Sequence, residues 1–149
     1  MYKNLMFIFS ALAISFSATA HDGGHGPKIV KSGKYGGVLA KVSPGSNWEE
    51  AKNSKALYVA ELVKDNEGKV SIYLYNNKMK PVKLDNFSVV KGKVESGRGK
   101  KAKSSTFSLA KSGMSFSGKL PKKKRRPFSV VVNFKEGSKP LFMAFDNLD

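Results

Sequence analysis

Phe128-Ser129-Val130-Val131-Val132-Asn133-Phe134-Lys135-Glu136-Gly137-Ser138-Lys139-Pro140-Leu141-Phe142-Met143-Ala144-Phe145 is the stretch on which the fold turns. Alternate side chains of an extended chain point the same way, so Phe128, Val130, Val132 and Phe134 form one apolar row and Leu141, Met143 and Phe145 another. Between the rows, Lys135-Glu136-Gly137-Ser138 places a glycine where a tight turn needs left-handed backbone. The two runs therefore read as an antiparallel hairpin, and a strand apolar on one side must bury that side against other strands.

The same period of two extends through the rest of the chain. It predicts strands near 36–42, 56–64, 69–76, 81–84, 87–95, 104–110 and 114–119, in addition to 128–134 and 140–145. Val70, Ile72 and Leu74 share a face, and Asp65-Asn66-Glu67-Gly68 ahead of them is a second hairpin turn. One helical turn is expected near 47–52, where Asn47 or Ser46 caps Trp48-Glu49-Glu50-Ala51 and Trp48 acts as a lid over one end of the domain. Many short strands without long helices to cover a parallel sheet predict an all-β domain. The expected form is an immunoglobulin-like antiparallel β-sandwich of about 7–9 strands, with a small closed β-barrel as the alternative.

Ahead of this domain, residues 1–20 have the layout of a cleavable signal peptide: Lys3, an apolar run from Leu5 to about Ala13, then small residues at Ala18 and Ala20. Ser10, Ser15 and Ser17 interrupt the run, which falls short of the ~20 residues that a transmembrane helix needs. The expectation is a periplasmic or secreted protein with no transmembrane span, a flexible tail at 21–28 and one domain at 29–149. The chain has no cysteine, so an oxidising compartment adds no disulfide.

Lysine and arginine number 27 against 11 acids, a net charge of +16. An excess of that size attracts polyanions through a long-range field, although charge also serves solubility alone. It is concentrated in Lys122-Lys123-Lys124-Arg125-Arg126, which Pro121 and Pro127 bracket and so exclude from a regular strand. Arg98, Lys100, Lys101 and Lys103 form a second basic loop. Together these nine residues are the candidate anion site, suited to lipopolysaccharide, an acidic glycan or a similar polymer. A basic run with no partner, simply solvated, is the plainer alternative.

Both histidines lie within the first five residues after the leader. Cleavage after Ala20 would free the amine of His21, which with its own imidazole, His25 and Asp22 makes a candidate copper or zinc site; a polar leader that happens to hold histidines is the competing reading. Met143 and Met114 fall in strand patterns and read as core, whereas Met79 falls in a turn. Tyr58, Tyr73 and Tyr75 are expected to face outward on neighbouring strands, as a sugar- or base-stacking surface or as cross-strand packing. No nucleophile elbow, phosphate loop, cysteine or core histidine is present, and no carboxylate pair is set by motif, so no enzyme is expected.

Tyr35-Gly36-Gly37-Val38, Tyr58-Val59-Ala60-Glu61-Leu62-Val63, Gly68-Lys69-Val70-Ser71-Ile72-Tyr73-Leu74 and Lys80-Pro81-Val82 resemble a family of small exported bacterial domains. Members pair a His-Gly-Gly opening with a Tyr-His-Ala-Glu-Leu-Val strand, a hairpin and a Lys-Pro-Val segment, and occur near periplasmic metal-efflux components. The resemblance covers about the first half of the domain that follows the leader. It implies a sandwich fold and a metal-related role. Tyr35 and Val59 stand where the family has its two histidines, which leaves only the tail histidines to carry metal. Three functional readings thus follow from the sequence: a polyanion-binding module, a metal-handling accessory, and a structural adaptor that pairs a sheet edge with an envelope protein.

Overall fold

The computed structural model describes residues 33–97, 102–122 and 126–149. Nine strands and one helical turn follow in order: β1 (Val38–Pro44), α1 (Trp48–Ala51), β2 (Tyr58–Lys64), β3 (Lys69–Tyr75), β4 (Phe87–Ser96), β5 (Lys103–Phe107), β6 (Leu109–Ser112), β7 (Ser115–Lys119), β8 (Phe128–Glu136) and β9 (Lys139–Leu148). The strands join in one sheet in the order β5-β4-β8-β9-β1-β2-β3-β7-β6. The all-β class expected from the sequence holds. Of the two forms weighed, the sheet takes that of a nearly closed barrel, because β1 pairs with β9 and joins the two halves into one.

The rows read from the opening stretch face the interior. Val130, Val132, Phe134, Leu141, Met143 and Phe145 are all buried, and they meet Val70, Ile72, Leu74 and Phe116 from the opposite wall. Each fully buried aliphatic or aromatic side chain contributes about 1.5–3 kcal/mol relative to exposure, so this shared interior is what holds the strands. A smaller apolar cluster lies outside the barrel, where Trp48 and Ala51 of α1 pack on Val131, Phe142 and Ala144. Trp48 therefore covers the outer face of β8 and β9 rather than an end. Its turn is capped as the sequence predicts, with the Asn47 side chain accepting from the Glu50 N–H at 3.1 Å.

Three further expectations need correction. The segment 81–84 is not a strand; it makes a single bridge, Tyr75 to Pro81, closed by the Asn76 N–H donating to the Lys80 carbonyl and the Val82 N–H to the Leu74 carbonyl, and the pairing goes no further. Met114 is 53% exposed, since it follows Gly113 in the turn before β7 and precedes the first inward position. The run at 104–110 is two strands. β5 pairs with β4 and β6 pairs with β7, and only Ser108 lies between them.

That handover forms the seam of the barrel. β5 and β6 are the two edges of the sheet, yet they are consecutive in the chain, so one extended segment leaves one half and joins the other. The residues opposite the handover are both glycines, Gly92 facing Phe107 and Gly118 facing Leu109. A Cβ on Gly118 would lie 2.3 Å from the Ser108 carbonyl oxygen, and one on Gly92 3.0 Å from the Phe107 ring. Close approach of one backbone to another is what requires glycine at such a corner.

Candidate functional site

Strand register determines which loops share an end. Ser96 at the close of β4 pairs with Lys103 on one side and with Phe128 on the other, and Phe128 pairs in turn with Leu148. The connection 97–102 and the connection 120–127 therefore leave the barrel side by side. The latter is also fixed to the β2–β3 turn, where the Leu120 N–H donates to the Gly68 carbonyl at 2.8 Å.

Of the predicted anion-site residues, Lys103, Lys122 and Arg126 are exposed at this end. Arg98, Lys100, Lys101, Lys123, Lys124 and Arg125 lie outside the described residues, within the same two connections. Register adds cations that sequence reading passed over. Lys69 opens β3 directly opposite Lys119 at the close of β7, and Lys64 closes β2, with its Nζ donating to the Asp149 carbonyl at 2.6 Å. Like charges directly opposite one another weaken a sheet unless an anion or solvent offsets them.

The outer wall beside this end carries the least expected side chain. Glu61 alternates with Ala60 and Leu62 and so points away from the core, yet it is fully buried. Its Oε1 accepts the N–H groups of Tyr35 and Gly37, each at 2.8 Å, and its Oε2 accepts the Tyr75 hydroxyl at 2.7 Å. Residues 33–37 are thereby folded down over β2. A Cβ on Gly33 would fall within 2.1 Å of the Glu61 carboxyl carbon, and one on Gly37 within 2.4 Å of the Leu62 carbonyl oxygen, so the segment fits only with glycine at both places. An acid in the centre of the apolar run Val59–Val63 was the signal that could have located this clamp. Burial, and then the hydrogen bond to Glu61, raise the Tyr75 hydroxyl well above the ordinary tyrosine range.

Fixing residues 33–37 also fixes Tyr35. Its ring lies on that of Tyr73, with centroids 4.4 Å apart and planes tilted by 33°, and it remains 51% exposed. The Lys34 ammonium stands 5.7 Å from its centroid. The three tyrosines expected outside thus separate: Tyr73 is outward, Tyr75 is buried beneath the clamp, and Tyr58 faces inward because it shares the parity of Ala60 and Leu62.

Tyr58 lies at the far end of the barrel, in edge contact with Phe87 and donating to Glu136 Oε1 at 2.7 Å. Burial, followed by that carboxylate, pushes its hydroxyl from 10.0 up to about 12. The folded state therefore favours neutral phenols at Tyr58 and Tyr75. Their contribution is complete below pH 10.0, the unfolded value, and declines as pH rises towards about 12. Urea titrations across this window should show stability falling with pH. Tyr58→Phe, which sacrifices about 1 kcal/mol of hydrogen bonding at neutral pH, should fall less steeply.

No protein-family model, curated protein or solved structure matches this chain. Among the described residues no three His, Cys, Asp or Glu side chains converge to hold a metal ion, and no helix is long and apolar enough to cross a membrane. His21, Asp22 and His25 lie outside the described residues. Tyr35 and Val59, the positions the resemblance equates with histidines, both lie on the outer face, Val59 between Lys41 and Tyr75 in register.

Proposed function

We propose that this protein is exported and acts outside the cytoplasm as a non-enzymatic binding module for an anionic polymer of the cell envelope, such as lipopolysaccharide or an acidic glycan. The observation that carries this reading is the register Lys103–Ser96–Phe128, which brings two basic connections distant in sequence to one end of the barrel. Lys64, Lys69 and Lys119 extend the same field along the adjoining strand ends. Clustered cations of this kind bind phosphates or carboxylates mainly by displacing their counterions, so affinity falls steeply with salt.

The test compares the full chain with a variant in which Lys122, Lys123, Lys124, Arg125 and Arg126 are all replaced by serine. Binding to lipopolysaccharide micelles and to a polyuronate is followed across a salt series. The wild type should lose affinity as salt rises. The variant, unfolding at the same temperature, should bind about ten- to a hundredfold more weakly at low salt with a shallower salt slope. Salt-insensitive binding, or unchanged affinity in the variant, would contradict the proposal.

A further inference from the structure

The outer face of β3 and β7 forms a graded stripe that begins at the basic end. Lys69 pairs with Lys119, Ser71 with Ser117 and Tyr73 with Ser115, all projecting to the same side. The hydroxyls form a connected row: Ser71 Oγ is 3.3 Å from Ser117 Oγ, which is 3.2 Å from Ser115 Oγ. Tyr35 stacks on Tyr73 at the end of the stripe, with Lys34 beside it. At roughly 3.3 Å per residue the stripe runs about 13 Å from the lysine pair to the stacked rings.

From this arrangement we infer that the stripe is a binding face for the sugar rings of an acidic polysaccharide. Tyr35 and Tyr73 would take one ring, the half-buried Ser71 and Ser117 its hydroxyl groups, and Lys34, Lys69 and Lys119 its carboxylates or other acidic substituents, while the buried Ser115, bonded to the Ser112 carbonyl, supports the row from beneath. The inference rests on the polyanion reading and narrows its ligand class.

Two features favour a glycan over a single-stranded nucleic acid. The face has one stacking platform, whereas successive bases call for successive aromatic rings. Its centre is lined by hydroxyls, which suit a hydroxyl-rich ligand. A third feature concerns rigidity. The buried Glu61 holds the Tyr35 backbone while leaving the ring half exposed, and a ring fixed in advance loses little freedom on binding.

Tyr35→Ala and Tyr35→Phe test the face without disturbing the clamp, because Glu61 takes only the backbone N–H of residue 35. Three probes serve: a uronic-acid hexasaccharide, linear polyphosphate as a polyanion without rings, and oligo(dT). Tyr35→Ala should weaken hexasaccharide binding about tenfold, Tyr35→Phe should retain it, and neither should change polyphosphate binding.

If both ring-bearing and ringless polyanions bind equally well to Tyr35→Ala and wild type, the basic end stands and the sugar face falls. Oligo(dT) binding more tightly than the hexasaccharide, and depending on Tyr35, would overturn the glycan in favour of a nucleic acid. Absence of binding to any probe would remove both proposals.

Discussion

Glu61→Leu should destabilise the domain by about 3–5 kcal/mol in urea denaturation, the largest loss expected from any single substitution considered. Leucine approximates the volume but accepts no hydrogen bond. The N–H groups of Tyr35 and Gly37 and the hydroxyl of Tyr75 would then face an apolar side chain, and the last is buried beyond the reach of solvent. Glu61→Gln provides the control. Its carbonyl oxygen can still accept from the two backbone groups, and the Tyr75 hydroxyl can rotate to accept from the new amide, so the loss should be about 1 kcal/mol. Equal losses in the two variants would show that the clamp acts through charge rather than through its acceptors. Removing Tyr75 alongside Glu61 in a double-mutant cycle should then recover part of the loss, since the orphaned hydroxyl is gone.

Gly118→Ala should cost about 1–3 kcal/mol, and Gly113→Ala clearly less, although alanine enters a strand or turn in both. Gly113 has a φ of +60° but nothing within 4 Å of a Cβ, so only backbone strain of about 1 kcal/mol opposes the change. At Gly118 the added methyl meets the Ser108 carbonyl at 2.3 Å and the Leu109 side chain at 2.9 Å. A carbonyl fixed between two paired strands cannot swing aside as a side-chain tip can. The strand must shift, and β6 should lose amide protection before the body of the sheet does. Urea denaturation with hydrogen exchange on the two variants reads both effects. Equal stability in the two would mean that the seam yields freely.

The alternation that revealed β8 and β9 is a local property, and for that reason it was legible. Each strand with a buried row on one side and polar residues on the other carries its own record, as Val70, Ile72 and Leu74 do. Partner choice leaves no such record. Residues 104–110 read as one extended run in which Phe107 and Leu109 alternate across Ser108, and nothing within them marks the point where the segment exchanges β4 for β7; only the glycines on the facing strands hint at it. The candidate site divides in the same way. Pro121 and Pro127 identify a loop, whereas its meeting with 97–102 depends on pairing between strands about thirty residues apart, which periodicity cannot supply. Tyr58 was open to a correct reading, since its parity with Ala60 and Leu62 already places it inside. Glu61 required more, because an acid on an outward position is ordinary until another segment is known to lie over it.

The seam described above also limits how the chain can vary in length. Phe107 is in step with β4 and Leu109 with β7, so a single residue is all that separates two independent registers. Adding or removing one there would turn every side chain of β5 or of β6 to the opposite face. The basic connections can lengthen or shorten with little effect on the barrel, because their ends are held by ladders on either side. Ser108 has no such freedom, and the shortest link between the described strands is the one whose length is most strictly set.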